Sequence, residues 1–384
     1  MEGRIALVVS DVFVRRLTPA LMEFVRRRVD FRVVDIYRPL SELAACVEEL
    51  KPIGIITEYL PRITGHILAL GLPTVIADGD VVFPGAVTID VDDAAVGREA
   101  ARFFVAAGYR HFACVYNHLP YGEQRLAGFR EAIASVAESW DGLRQVERKA
   151  RYYMESWNEP TDSLRKWLRG LPKPVAIFAV HDPLGRWVAE AALEEGLHVP
   201  DEVAIIGANN DELVCGLNYP PLSSVAIPWH RIGYLAGEWV LALARGKKPP
   251  RKPCLVDAGP VVVRQSTSQQ AVDDADLRRT LEYLRSHFRE DLTFGGVCRE
   301  LRLNRRSLER KFAAFLRETP AQYLARIRLD AARTLLVDTN LPAAIIADRC
   351  GFGTPERFST HFREAFGISP IRYRRRFLGG ELEG

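Results

Sequence analysis

Short, predominantly apolar runs recur along the first two thirds of the chain, and stretches with helical apolar spacing separate them. Such runs are typical of strands that are buried on both faces of a parallel sheet. The runs are Ile5–Val9, Phe31–Ile36, Gly54–Thr57, Thr74–Ala77, His111–Tyr116, Val175–Val180 and Val203–Gly207. We expect helices between them, the first near Pro19–Arg28 and the next around residues 41–50. Strand–helix alternation over about 260 residues predicts two α/β lobes with parallel sheets.

Near the C-terminus, residues 297–312 and 346–362 repeat one pattern. In each segment a short helix with a small apolar face meets a sharp turn, and a second helix follows with apolar residues at i and i+4. Those pairs are Leu308 with Phe312 and Phe358 with Phe362, and their spacing predicts one core-facing stripe per helix. Asn304 and Thr354 are suitable N-caps for the second helices. The layout is that of a helix-turn-helix, whose second helix enters the DNA major groove.

The residues after each segment also match. Phe is followed seven residues later by Thr or Ser and then Pro, with Tyr three residues after the Pro: Phe312, Thr319, Pro320, Tyr323 and Phe362, Ser369, Pro370, Tyr373. With these motifs, residues 273–378 resemble the AraC/XylS-type DNA-binding domain. The resemblance implies two helix-turn-helix units joined by a long helix, here about Pro320–Asp338. Arg317 stands where that family usually has Gly as a helix stop, so this helix either ends on a strained residue or runs on.

A second set of motifs lies in a fixed order within the α/β region. They are Ile89–Ala100, Glu123–Phe129, Ser156–Trp157, Ala179–Asp182, Gly207–Asp211, Pro220–Val225 and Val262–Thr267. In this order, residues 4–268 resemble the effector domain of LacI/GalR-type regulators, which is itself similar to periplasmic sugar-binding proteins. Such regulators normally carry the DNA-binding unit ahead of this domain, whereas here it comes behind.

These resemblances divide the chain into three parts. Residues 1–268 are the expected effector-binding domain, with the fold of a two-lobed α/β periplasmic-binding-protein-like sensor with parallel sheets. Residues 269–276 are the expected linker, within the polar stretch Ser266–Asp276. Residues 277–378 are the expected all-α DNA-binding domain with two helix-turn-helix units.

The charge is unevenly distributed along the chain. The whole sequence has a net charge of only +3. Residues 301–380 contain 16 Lys and Arg against 7 Asp and Glu, so they carry +9 and the remainder carries −6. A basic block behind a slightly acidic body is typical of a domain that meets phosphate. A solvated basic surface is the alternative on charge alone, and the helix-turn-helix pair disfavours it.

The cysteines and the apolar runs bear on localisation. Six cysteines are present, and none forms C-x-x-C or lies near a His cluster at zinc spacing. We interpret them as buried thiols in a reducing cytosol, and we expect no metal and no cofactor. The apolar run after Arg4 is too short for a signal peptide, and no run reaches the roughly 18 apolar residues of a membrane span. We therefore expect a cytoplasmic protein with no membrane partner.

The LacI/GalR resemblance also implies an effector site at the carboxyl ends of the strands. It places Asp92, Arg125, Trp157, Asp182 and Asn209 where related sensors contact the effector, with Ser10 and His181 as further candidates. Carboxylate, guanidinium, amide and aromatic groups together suit a polyol. Alternatives stay open: Asp92 as a helix N-cap, Arg125 as a surface helix residue, and Trp157 as plain core. Asn209 stands where many relatives carry Asp.

On the DNA side, the positions opposite each apolar stripe should face the groove. They are Arg306, Glu309 and Arg310 in the first unit, and Glu356, Ser359 and Thr360 in the second. Arg pairs with the O6 and N7 atoms of guanine and Glu accepts from cytosine N4, so the first unit is better equipped for base readout. We interpret Arg305, Arg357, Arg363 and the tail residues Arg372, Arg374, Arg375 and Arg376 as phosphate contacts, with solvated surface as the alternative for the tail.

Together these features predict a non-enzymatic, sequence-specific transcription regulator. We expect an activator of a sugar (xylose-like) utilisation operon that responds to a small polar effector, a sugar or related polyol. Its expected partners are double-stranded operator DNA, a second copy of the chain in a homodimer and, for an activator, RNA polymerase. One alternative is an enzyme-like α/β domain fused to a DNA-binding domain, but Cys114 lacks the flanking glycines of a nucleophile elbow. Another is a DNA-binding protein that acts without an effector.

Overall fold

The computed structural model describes residues 3–79, 81–144, 162–267, 274–316, 318–339 and 341–378. It divides into two compact units, described separately below. The first unit comprises Met1–Asp92, Pro228–Asp257 and Arg375–Gly384, and the second comprises Asp93–Ile227 and Ala258–Arg374. No helix of the described ranges is both long enough and apolar enough to cross a membrane.

Twelve strands in the described part of the chain form two six-stranded sheets. They are β1 Gly3–Val8, β2 Val29–Val33, β3 Gly54–Thr57, β4 Thr74–Ala77, β5 Ala86–Val91, β6 His111–Tyr116, β7 Ser139–Arg144, β8 Val175–Ala179, β9 Val203–Asn209, β10 Ser223–Ala226, β11 Cys254–Val256 and β12 Val261–Val262. The first unit has the order β11-β5-β4-β3-β1-β2, and the second has β12-β10-β9-β8-β6-β7. Nine of the ten strand pairs are parallel, and only β10 with β12 is antiparallel. The predicted parallel α/β architecture is confirmed.

The helices cover both the α/β region and the C-terminal domain. They are α1 Asp11–Arg26, α2 Leu40–Leu50, α3 Thr64–Ala69, α4 Asp93–Ala106, α5 Pro120–Ile133, α6 Asp162–Gly170, α7 Asp182–Glu194, α8 Glu212–Leu217, α9 Trp229–Ala244, α10 Ala275–His287, α11 Phe294–Glu300, α12 Arg305–Lys311, α13 Pro320–Asp338, α14 Ala343–Arg349, α15 Pro355–Phe366 and α16 Pro370–Leu378. A π-helical turn, Phe312–Leu316, follows α12.

The first helix begins earlier than the sequence pattern suggested. α1 starts at Asp11 and ends at Arg26, with Pro19 inside it, whereas we expected a helix near Pro19–Arg28. The reason is the apolar stripe Phe13, Leu17, Leu21 and Phe24, which is buried and continues upstream of the proline. The second predicted strand is also shifted, since β2 spans Val29–Val33.

Helices α4 and α5 of the second unit cross at very short range. A Cβ atom built on Gly97 would lie 1.9 Å from the carbonyl oxygen of Arg125, and one on Gly128 would lie 2.0 Å from that of Ala94. Only glycine at these two positions lets the two backbones touch. The two helices therefore form a closely packed pair.

The C-terminal domain has the expected two helix-turn-helix units, α11–α12 and α14–α15. The predicted stripe residues Leu308, Phe312, Phe358 and Phe362 are at most 1% exposed. Asn304 accepts from the backbone N–H of Ser307 and Thr354 from that of Arg357, so both predicted N-caps are confirmed. The joining helix α13 has the predicted bounds. Arg317 and residues 269–273 of the expected linker lie outside the described residues.

The shared Phe–Ser/Thr–Pro–Tyr pattern forms the same contacts in both helix-turn-helix units. Phe312 packs edge-to-face on Tyr323 with ring centroids 5.9 Å apart, and Phe362 packs edge-to-face on Tyr373 at 5.1 Å. Thr319 and Ser369 accept hydrogen bonds from backbone N–H groups three residues later, which caps the helices that carry the tyrosines. Each unit thus ends on a capped helix held by an aromatic pair.

Candidate effector site and nucleic-acid interface

Arg125 is the centre of a polar cluster at the carboxyl ends of strands in the second unit. Its Nε donates to Oδ1 of Asp93 at 2.7 Å, and the two side chains are 5% and 3% exposed. Its Nη1 donates to the carbonyl oxygen of Val180 at 2.8 Å and to Oδ1 of Asn209 at 3.1 Å. Arg125 is therefore a buried organising residue, which removes the alternative of a surface helix position.

Sequence reasoning missed two members of this cluster. Asp93, the residue after the predicted Asp92, forms an ion pair with Arg125. Tyr121 lies one helical turn before Arg125, and the guanidinium carbon is 5.0 Å from its ring centroid. The Tyr121 hydroxyl accepts from Nδ2 of Asn117 at 2.6 Å. The adjacent acidic residues after β5 were a signal for the site, but the choice between them depends on tertiary packing.

Asn209, the last residue of β9, and Asn210, which follows it, have positive φ angles of +104° and +50°. Asn is among the few non-glycine residues found in this region with any frequency, and such strain is concentrated at functional sites. The Asn210 backbone donates to Oγ of Ser224 at 2.9 Å, and its side-chain Oδ1 accepts from Arg264 at 2.8 Å. These bonds hold the turn, so the Asn209 amide is directed onto Arg125.

His181 and Asp182 lie at the β8–α7 junction, and their side chains form hydrogen bonds with other protein groups. His181 caps α7, because its Nδ1 accepts from the backbone N–H of Leu184 at 3.3 Å. Asp182 is fully buried and accepts from Oγ of Ser224 at 2.5 Å and from the backbone N–H of Asp211 at 2.8 Å. Burial raises the pKa of Asp182 to about 6. This placement favours a structural role for Asp182, which holds Ser224 and the backbone of Asp211, over direct contact with a ligand.

The first unit contributes a separate polar group. Ser10 follows β1, and its backbone N–H donates to the carboxylate of Glu58. Glu58 follows β3, is only 9% exposed, and was not singled out from the sequence. Burial raises the pKa of Glu58 to about 7. A carboxyl at the end of a central strand is suited to accept a hydroxyl hydrogen bond.

Asp92 and Trp157 complete the predicted set. Asp92 directly precedes α4 and is half-buried, and its backbone N–H donates to the carbonyl oxygen of Val256 at 2.8 Å. It therefore stands at the position of a helix N-cap. Trp157 lies outside the described residues.

The second helix of each helix-turn-helix unit presents a polar face opposite its buried stripe. Arg306 and Arg310 of α12 are exposed and Glu309 is half-buried. On α15, Glu356, Arg357, Thr360 and Arg363 are exposed and Ser359 is half-buried. The predicted groove-facing residues thus share one side of each helix. Base or phosphate contacts for each residue remain predictions.

Two arginines on this surface already have protein partners. Nε of Arg305, an exposed residue, donates to Oε1 of Glu309 at 2.8 Å, so Glu309 has to leave this ion pair before it can accept from a base. Arg374 donates to the carbonyl oxygen of Leu336 at 3.3 Å and is half-buried, whereas Arg372 is exposed. Arg374 therefore attaches α16 to α13, which differs from the phosphate contact expected for the tail. The side chains of Arg375 and Arg376 lie outside the described part of the chain.

Two family models match the chain, one on each functional part. A periplasmic binding protein-like domain matches residues 101–267, and a helix-turn-helix domain matches residues 297–376. The chain thus consists of a periplasmic-binding-protein-like domain followed by an AraC-type helix-turn-helix domain.

Two similar proteins are named as regulators of one operon. The xylose operon regulatory protein of Escherichia coli (strain K12) is 28% identical over 254 residues, which is 66% of this chain and 64% of that protein. The protein of the same name from Haemophilus influenzae is 26% identical over 337 residues, 85% of this chain and 86% of that protein. The fold of a solved xylose-binding transcription activator aligns with a TM-score of 0.60 at 22% identity, covering 97% of both chains.

Proposed function

We propose that this chain is a transcription regulator whose DNA binding responds to a small sugar or polyol. The observation that carries the proposal is the order of the two domains, because a strand-end polar cluster and two helix-turn-helix units lie on one chain. Two similar proteins are named as xylose operon regulatory proteins. We propose activation of a sugar-utilisation operon in the cytoplasm, with a homodimer and RNA polymerase as partners.

The chemistry around Arg125 supports a sugar or polyol as the effector. The Arg125 guanidinium, the Asn209 amide and the Tyr121 ring place charged N–H donors, an amide and a flat apolar face within one cluster. Neutral sugars present alternating hydroxyls and C–H faces, which match this set. Because the Asp93 carboxylate already neutralises Arg125, the cluster suits a neutral polyol better than a sugar acid.

On the DNA side, we propose that α12 and α15 are the recognition helices. Their exposed faces carry Arg306 and Arg310 in the first unit and Arg357 and Arg363 in the second. Together with the +9 charge of residues 301–380, this favours phosphate-anchored binding with base readout led by α12.

A fused enzyme is the weaker candidate. Cys114, the nucleophile considered from the sequence, is 0% exposed within β6, and burial raises the pKa of its thiol. A buried, protonated thiol is a poor nucleophile. The named relatives are transcription regulators.

A thermal-shift screen of the full chain tests the sensing function. The panel contains D-xylose, other pentoses, hexoses, polyols and sugar acids. A true effector at 100 times its Kd stabilises the native state by about 2.7 kcal/mol. We expect D-xylose or a close relative among the neutral sugars to give such a shift. A shift with sugar acids alone overturns the neutral-polyol assignment, and no shift with any member overturns the sensing function.

A further inference from the structure

The sensor helix α4 and the DNA-domain helix α13 are joined within the second unit by a buried ion pair. Nη1 of Arg333 donates to Oε1 of Glu99 at 3.1 Å, and the two side chains are only 11% and 13% exposed. A second oxygen of Glu99 lies 3.5 Å from the exposed Arg102. Charge pairs with so little solvent access are screened weakly, so this contact is energetically sensitive to small displacements.

Arg333 also reaches the second helix-turn-helix unit. Its Nε donates to the hydroxyl of Tyr373 on α16 at 3.2 Å. Its guanidinium carbon is 5.2 Å from the ring centroid of Phe366, the last residue of α15. One side chain therefore contacts the sensor lobe, the end of a recognition helix and the helix that follows it.

The opposite face of α4 is bound to the candidate effector cluster. Gly97 lets α4 touch the backbone of α5 at Arg125, and Asp93 at the start of α4 pairs with the Arg125 side chain. Glu99 is six residues after Asp93, or about 9 Å along the helix axis, and two positions beyond Gly97, so it points away from α5. One helix, α4, therefore carries both Asp93 of the Arg125 cluster and Glu99.

The junction around the ion pair is not filled by close packing. A cavity of about 730 Å³ lies near it, lined by Phe103 of α4, by residues 261–263, and by residues of α10, α13, α14 and the segments that follow α10 and α14. Interfaces of this kind between domains permit rearrangement.

We propose that the Glu99–Arg333 pair couples the sensor to the second helix-turn-helix unit, so that effector binding near Arg125 changes the position of α15 on DNA. This inference rests on the proposed function, and it assigns the route of regulation. A ligand shifts such an equilibrium only by its differential affinity for the two arrangements. The pair supplies a contact that one arrangement keeps and the other weakens.

The first test measures operator affinity with and without saturating D-xylose. The wild-type full chain is compared with Glu99→Gln, in which the amide still accepts from Arg333 but lacks the charge. Glu131→Gln is the matched control, since Glu131 is an exposed residue of α5. We expect Glu99→Gln to reduce the ratio of the two affinities about fivefold or more while the variant still binds the sugar. Glu99→Lys should reduce it further. An unchanged ratio in both Glu99 variants overturns the inference.

The second test needs no effector. Hydrogen exchange of the full chain without sugar should be faster in peptides from both α4 and α13 of Glu99→Gln than of wild type. Glu131→Gln should leave α13 unchanged. If no tested sugar changes the operator affinity of the wild type, the proposed function fails. The exchange result still decides whether the Glu99–Arg333 pair joins α4 to α13. If α13 exchanges as slowly in Glu99→Gln as in the wild type, that role is overturned.

Discussion

Nε of Arg285 donates to the hydroxyl of Tyr323 at 2.9 Å, and this bond closes the first helix-turn-helix unit in the way that Arg333 and Tyr373 close the second. Each arginine lies on the helix that precedes its unit, and each tyrosine lies on the capped helix that follows it. The internal repeat thus extends beyond the helix-turn-helix segments to their supporting hydrogen bonds.

Loss of the Tyr323 hydroxyl should destabilise the DNA-binding domain. Tyr323 is 0% exposed, and its hydroxyl accepts from a charged donor. We expect Tyr323→Phe to lower the free energy of unfolding by about 1.5–3 kcal/mol. Tyr219→Phe, at a 74% exposed side chain, is the control and should change little. Urea unfolding of the full chain, followed by circular dichroism, measures both, and equal stability of the two variants contradicts the assignment.

A methyl group at the α4–α5 crossing should be poorly tolerated. Gly97→Ala places Cβ 1.9 Å from the carbonyl oxygen of Arg125, so the helices have to separate. We expect a loss of about 3 kcal/mol or more, typical of overpacking against backbone. Gly65→Ala in α3 meets no atom within 4 Å and should be neutral or stabilising by up to about 1 kcal/mol. Thermal unfolding distinguishes them, and a neutral Gly97→Ala shows that the crossing is loose.

The two recognition-helix arginines with different predicted partners should differ in their effect on specificity. Arg310→Ala should relax base preference at one operator position by about 1–3 kcal/mol, because Arg pairs with guanine in the groove. Arg363→Ala should weaken all DNA sequences about equally, because phosphate carries no sequence information. Binding of the full chain to a set of single-base operator variants measures both. A uniform loss in both variants means that the groove-facing side of α12 is misassigned.

The raised pKa of Glu58 should make stability fall as pH rises. The folded chain holds this proton up to about pH 7, whereas the unfolded carboxyl loses it at its ordinary pKa, roughly 4.3. Between these pH values the folded state binds more protons, so the free energy of unfolding decreases with pH. Between pH 4.5 and pH 7.5, we expect the free energy of unfolding of Glu58→Gln to rise by about 3 kcal/mol relative to that of the wild type. Urea unfolding across this range measures it, and parallel pH profiles contradict the shift.

Local patterns in the sequence were sufficient for much of the fold. The stripes Leu308–Phe312 and Phe358–Phe362 and the caps Asn304 and Thr354 are set by spacing within one helix, and all were predicted correctly. The start of α1 was missed because Pro19 was taken as a helix beginning, although the apolar stripe continues across it.

The candidate site was harder to predict because its contacts join distant residues. Arg125 was singled out by resemblance, but its ion pair with Asp93 joins two helices and is not encoded in either one alone. Glu58 is a lone acid after a strand, and nothing local indicates its bond to Ser10. Contacts such as Glu99 with Arg333 span 234 residues, and no periodicity encodes them.

The central claim is that a sugar bound to the sensor changes operator binding by the same chain. An operator selected from random duplexes by the full chain provides the DNA, and fluorescence anisotropy measures its affinity. The measurement is repeated with a saturating concentration of the sugar that gives the thermal shift. The account predicts a change in operator Kd of about fivefold or more, typical of allosteric coupling. An operator Kd that is the same with and without a sugar that demonstrably binds would contradict it.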